Sequence, residues 1–215
     1  ALEDLFAVAE RATEGTVRCF GRWDARWGSP IAWDLDPVSQ ERWTPSLLGT
    51  LSLREAARVG DPKRTWEVAR FPQAYHLARA AAFDPSRAER SFQAFSSQVR
   101  GFLDACPYPW GIHWASSQEC VIRLVAWLFA ANAFASLGYR DLALEREIVR
   151  HAAVVGHHIA REIGYAQHAV YNNHLIAEAA GLVICAYLAP DHPDARAWSS
   201  LGEEILTEQA TAQIY

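Results

Sequence analysis

Asn172, Asn173 and His174 stand directly before Leu175, Ile176, Ala179, Leu182 and Val183, whose spacing predicts one buried face of a helix. Two amides and an imidazole at a helix start can aim donors at an anion. Free backbone N–H groups and the positive end of the helix dipole add to that field, so a carboxylate or developing enolate there is stabilised without a metal. The structural alternative makes Asn172 an N-cap, with Asn173 and His174 in the solvated first turn. Two further polar groupings lie upstream. Trp66-Glu67-Val68-Ala69-Arg70 puts Glu67 and Arg70 on one helical face beside an indole, where a surface ion pair is the default explanation. Trp110-Gly111-Ile112-His113-Trp114 runs into Ser116, Ser117, Gln118 and Glu119, then Arg123 and Trp127. A serine cap explains the hydroxyls but not the gathering of indoles at one helix start.

The elements that must position these groups are helical, and no run alternates strictly enough to predict a strand. Helices are expected over about 2–12, 47–58, 63–81, 85–105, 116–137, 141–163, 172–188 and 193–212. Their joints are short and carry Gly, Pro or Asp, which makes successive helices antiparallel neighbours. The expected fold is therefore all-α, a series of helical hairpins without a repeat of fixed length. Residues 1–45 divide into a first helix and an irregular surface arm bearing Trp23, Trp27, Trp33 and Trp43. Those indoles suit packing of the arm onto the helical body better than sugar stacking. Residues 46–215 form the helical domain.

Composition narrows the function classes. A net charge of -5 argues against a nucleic-acid backbone as a general partner. The run from Val121 to Leu137 is the nearest approach to a membrane span, yet it contains Arg123 and Asn132, so no transmembrane helix is expected. Cys19, Cys106, Cys120 and Cys185 are widely spaced and read as buried thiols or at most one incidental disulfide. Lys63 is the only lysine, and the excess of arginine suits carboxylate or sulfate binding as well as reflecting a compositional bias. The chain opens at Ala1 without a basic-then-apolar leader, which suggests a processed or omitted segment before it.

Taken together and in order, Trp66-Glu67-Val68-Ala69-Arg70, Gly111 to Glu119 with Arg123 and Trp127, and Asn172-Asn173-His174 with Glu178-Ala179-Ala180-Gly181-Leu182 resemble the N-terminal helical domain of the heparinase II/III-like polysaccharide lyases. The resemblance runs from about Trp33 to the end and includes Ile31-Ala32-Trp33 before Asp36-Pro37. It implies an incomplete α/α toroid lining a cleft for an acidic polysaccharide, with a β-sandwich following in full-length members. It also implies β-elimination at a uronic acid, with no cofactor and no metal. Asn173 matches the asparagine that neutralises the uronate carboxylate, and His174 matches a histidine close to that carboxylate. Trp66, Glu67, Arg70, Trp114, Gln118 and Arg123 become candidates for the cleft wall, each with core packing or an interhelical ion pair as the alternative. The family's proton-transfer tyrosine lies beyond the next helix, so the chain ending at Tyr215 is expected to be inactive alone. A periplasmic or secreted location is expected. The polymer is left open among heparan sulfate, alginate and bacterial exopolysaccharides.

Three other readings compete. A glycoside hydrolase on a related toroid needs two carboxyl groups across a cleft, which Glu67, Glu119 and Glu178 could supply. A metal enzyme could draw on His151, His157, His158, His168 and His174, although their spacing lacks a recognised ligand signature. A non-catalytic glycan-binding module would keep the aromatic wall and dispense with the proton-transfer groups.

Overall fold

Aspartate, serine and proline punctuation sets several of the helix starts. Ser52 accepts from the Glu55 N–H, Asp61 from the Lys63 N–H with Pro62 in the first turn, and Asp141 from the Ala143 and Leu144 N–H groups. Each side chain satisfies a donor that the helix leaves unpaired. In the computed structural model, which describes residues 2–48, 50, 52–170 and 173–214 and omits the side chains of 170, 213 and 214, the chain is predominantly helical. The helices are α1 (Leu2–Thr13), α2 (Leu53–Val59), α3 (Pro62–Ala69), α4 (Pro72–Phe83), α5 (Ala88–Ala105), α6 (Ser117–Ser136), α7 (Leu142–Tyr165), α8 (Asn173–Leu188) and α9 (Ala195–Ile214). Two compact units share them: residues 1–115 with 125–144, and residues 116–124 with 145–215.

In the first unit the structure departs from the sequence reading at three places. The single helix expected over 63–81 is two, because Pro72 bars Phe71 from the right-handed helical region. Phe71 instead takes φ 57° and ψ 46°. That left-handed conformation is costly for a bulky residue, and the site is held by aromatic packing: Phe71 stacks on Trp33 at 5.2 Å and meets Trp127 edge-on at 5.2 Å. Second, the segment expected to be strand-free contains an antiparallel hairpin, β1 (Thr16–Cys19) and β2 (Trp23–Arg26), with Val17 opposite Ala25. Its alternation of buried Val17 and Cys19 with Thr16 and Arg18 spans four residues, too few to stand out from a loop. Third, the helix expected from 47 starts only at Leu53, and Leu47 forms a bridge with Trp110 instead.

The tryptophan arm lines the core of this unit. Trp27, Trp33 and Trp43 are buried, with Trp27 Nε1 donating to the Leu35 carbonyl at 2.9 Å and Trp43 Nε1 to Thr65 Oγ1 at 2.9 Å. Packing, the role favoured from sequence, is what these three indoles do. Asp36, wholly buried, ties the arm to the helices by accepting from the Val38 and Ser39 N–H groups and pairing with Arg64 at 2.9 Å.

In the second unit, α8 is held by close approaches that only small residues permit. A Cβ on Gly181 would lie 2.4 Å from Val121 Cγ2 and 2.9 Å from Ile159 Cδ1, and one on Gly202 would lie 2.6 Å from the Ala179 carbonyl oxygen. A Cβ on Gly156 would sit 2.7 Å from the Trp198 ring. These contacts seat α8 on α7, α9 and the start of α6. The last is long and apolar enough by composition to cross a bilayer, with a mean hydropathy of 1.4, but half of that stretch is buried in protein and Arg123 within it is wholly buried. It is built as a core helix.

The glycine contacts generate a paired prediction. Gly202→Ala and Gly156→Ala meet a backbone carbonyl and a rigid indole, so each should lower stability by about 1–3 kcal/mol despite its gain in helix propensity. Gly164→Ala, in α7 with open space around it, should raise stability by roughly 0.5–1 kcal/mol. Urea unfolding of the three variants checks the contrast.

Candidate functional site

In the first unit, Glu67 is not the surface charge that its spacing suggested. It is 5% exposed; one carboxylate oxygen accepts the Phe20 N–H at 2.6 Å and the other pairs with Arg70. The pair thus fastens the turn of the hairpin to α3. Its charge also contributes to Cys19, whose thiol is pushed up to about 12 by burial first and by Glu67 second. Both Glu67 oxygens hold protein groups, which counts against its service as a hydrolytic carboxylate. Arg70 keeps 27% of its side chain in solvent.

Trp66 is half-buried and donates from Nε1 to the Ile112 carbonyl at 3.0 Å while packing against Trp43, Val59 and Ile112. Trp114 is buried, donates to the Cys106 carbonyl at 3.2 Å and meets Tyr108 edge-on at 4.9 Å. Its ring has no free face for a sugar. These two indoles brace the short 3₁₀ turn Ile112–Trp114 that precedes α6. Here the packing alternative holds for Trp114.

In the second unit, Gln118 lies half-buried in the first turn of α6, and Arg123, in the next turn, is wholly buried. Arg123 acts on its neighbours. His151 and His158, seven residues apart on α7 and both buried, are held below the ordinary imidazole range, His158 at about 4. Burial is the main cause for each, and the Arg123 charge is the next. The Cys120 thiol is raised by burial, against a downward pull from Arg123. At neutral pH the neighbours of the guanidinium therefore include uncharged imidazoles and a protonated thiol. An open cleft wall would leave it exposed; the fold buries it.

Asn173 opens α8 and is exposed, and His174 beside it is half-buried. The amide thus stands in the first turn, where helix N–H groups lack intrahelical partners. Asn172, the expected N-cap, lies outside the described residues. One turn on, Glu178 is 6% exposed and its carboxyl is pushed up to about 7 by burial, with the Glu162 charge adding to the rise. Among the described residues no three of His, Cys, Asp and Glu come together to hold a metal ion. His157 is exposed whereas His158 is buried, so the two adjacent imidazoles lie on different faces of the helix. Spacing offers His151 and His158 as ligands and Glu178 as a hydrolytic acid, whereas the structure buries all three. The signal was present: His151 and His158 repeat at seven residues within an apolar face.

The Glu178 environment makes stability depend on pH in a stated direction. The unfolded carboxyl ionises near 4.5 and the folded one near 7, so folding loses stability as pH rises across that window and loses no more above it. The difference is on the order of 3 kcal/mol. Glu178→Gln lacks this penalty, so its stability relative to the parent should improve between pH 4.5 and 8. Urea unfolding of both proteins at these two pH values is the check; an unchanging difference would mean an ordinary carboxyl.

Comparison with known proteins places these units in a family. The model of the heparinase II/III N-terminus matches residues 16–215. The chain is similar in structure to the heparan sulfate lyase HepC from Pedobacter heparinus, with a TM-score of 0.73 and 15% identity over 99% of the chain. It is likewise similar to a heparinase III solved with methylated lysines, with a TM-score of 0.71 and 17% identity over 99% of the chain. It spans 30% and 32% of those two chains. No curated protein matches it in sequence. A family match over nearly all of the chain, joined to the same helical fold, means that the chain belongs to the heparinase II/III family and carries its N-terminal helical domain.

Proposed function

We propose that the protein carrying this chain cleaves a uronate-containing acidic polysaccharide by β-elimination, with Asn173 as the group that neutralises the uronate carboxylate. The observation that carries this reading is the exposed Asn173 amide in the first turn of α8. The reaction removes the proton at C5 of the uronate, forms the C4–C5 double bond and breaks the C4–O bond to the leaving sugar, which departs protonated. Charge moves onto the carboxylate as the C5–H bond breaks, so a donor fixed beside it favours the transition state over the ground state. His174, adjacent and half-buried, is assigned to the same carboxylate end of the site.

Arg70, with part of its side chain in solvent, and half-buried Gln118 are the wall candidates that retain polar surface for a sugar chain. Heparan sulfate is the first polymer to test, because one of the two similar structures is a heparan sulfate lyase and the other a heparinase III. A periplasmic or secreted location belongs to the same proposal.

The test follows ultraviolet absorbance of the unsaturated uronate product, using the whole protein, its Asn173→Ala variant and the 215-residue chain against heparan sulfate, alginate and an acidic exopolysaccharide. The whole protein should act on one of these. Asn173→Ala should lower kcat by about 10²–10³-fold with the fold intact, and the 215-residue chain should be silent. Reducing ends without the absorbance would establish hydrolysis instead; binding without either signal would make the domain a glycan-binding module.

A further inference from the structure

A cavity of about 480 Å³ opens in the first unit and shares no residue with the set assigned to β-elimination. Trp33, Trp43, Trp110 and Ile112 supply its apolar lining, and Asp34 and Arg42 stand at its polar side. Trp110 is the unusual member. Its backbone is fixed on both sides, since the Leu48 N–H donates to the Pro109 carbonyl at 2.7 Å and the Gly111 N–H to the Ser46 carbonyl at 2.9 Å. Yet the residue remains 50% exposed. A large apolar ring left in water on a rigid backbone does little for folding and is well placed to receive a flat apolar face.

Asp34 and Arg42 pair at 2.5 Å with side chains 39% and 60% exposed. One carboxylate and one guanidinium together offer acceptors and donors to a rim of hydroxyls, each of which both gives and takes a hydrogen bond. Apolar C–H faces edged by hydroxyls are the chemistry of a pyranose ring. Asp104 also lines the cavity, so two carboxylates face one guanidinium and the formal balance is negative. Sulfated or uronate residues are repelled by such a lining.

We propose that this cavity binds an uncharged oligosaccharide segment, with Trp110 stacking on a sugar ring and the Asp34–Arg42 pair engaging its hydroxyls. Its volume falls within the range of small-ligand pockets and suits roughly two or three pyranose units. The proposal does not depend on the lyase reading, because it concerns binding at residues outside that site.

Calorimetric titration of the protein with the neutral trisaccharide of N-acetylglucosamine, with cellotriose and with a sulfated heparin tetrasaccharide tests it. One neutral trisaccharide should bind per chain, Trp110→Ala should weaken it at least about tenfold, and Trp110→Phe should retain affinity within about threefold. Circular dichroism shows whether each variant keeps its helices, and the phenylalanine variant preserves the test if the alanine one does not fold. Failure of both neutral sugars to bind, binding indifferent to Trp110→Ala, or a sulfated tetrasaccharide that displaces the neutral one would each overturn the proposal.

Discussion

A full positive charge buried in α6 is the constraint around which the second unit is arranged. Arg123 is wholly buried, so its surroundings must tolerate a cation. The imidazoles of His151 and His158 do so by staying neutral, each depressed by burial and further by the guanidinium itself. A second charge among them would raise the energy of the first. The same low-dielectric interior acts on Glu178 with the opposite sign, since burial penalises a carboxylate as it does an imidazolium. Polar groups that would be unremarkable on a surface thus become a set whose charges depend on one another.

That interior constrains α8 through geometry as well. Gly156, Gly181 and Gly202 let neighbouring helices approach α8 until a single added carbon would collide with a ring, a branched side chain or a carbonyl. Close packing of this kind fixes the rotation of a helix about its axis, because turning it would put larger residues at the contact. The direction in which the α8 start presents Asn173 and His174 is therefore set by Gly181, about two turns along α8, and by the close approaches at Gly156 and Gly202 on α7 and α9. Positioning of the exposed amide and packing of the interior are one problem.

The sequence made some of this legible and hid the rest for identifiable reasons. The apolar period placed α7, α8 and α9 within a few residues, because long amphipathic or buried helices repeat their pattern many times. The break at Phe71 was signalled by Pro72, whose effect on the preceding residue is local and general, and was overridden by the strong helical pattern on either side. The hairpin was illegible because strands of four residues carry too little alternation. Order and spacing of Trp66-Glu67, Trp114-Ala115-Ser116 and Asn173-His174 led to the family, which the match over 16–215 shows. Burial was the quantity that spacing could not supply. Glu67 and Arg123 have the composition of a binding wall, and only the tertiary structure shows one clamped to a hairpin turn and the other enclosed in the core.

On the proposed reading, an amide at Asn173 has a physical advantage over a cation at the same place. Arginine would bind the substrate carboxylate strongly in the ground state, and stabilisation present equally before and during reaction does not raise kcat. A neutral donor interacts more weakly with the resting carboxylate and gains as charge builds on it, so more of its effect falls on the transition state. The helix N-terminus acts in the same sense, with fixed dipoles that need no reorganisation. An overall negative chain fits this division of labour. Attraction for a polyanion then comes from local donors such as Arg70 instead of a uniformly basic surface, which would hold substrate and product alike.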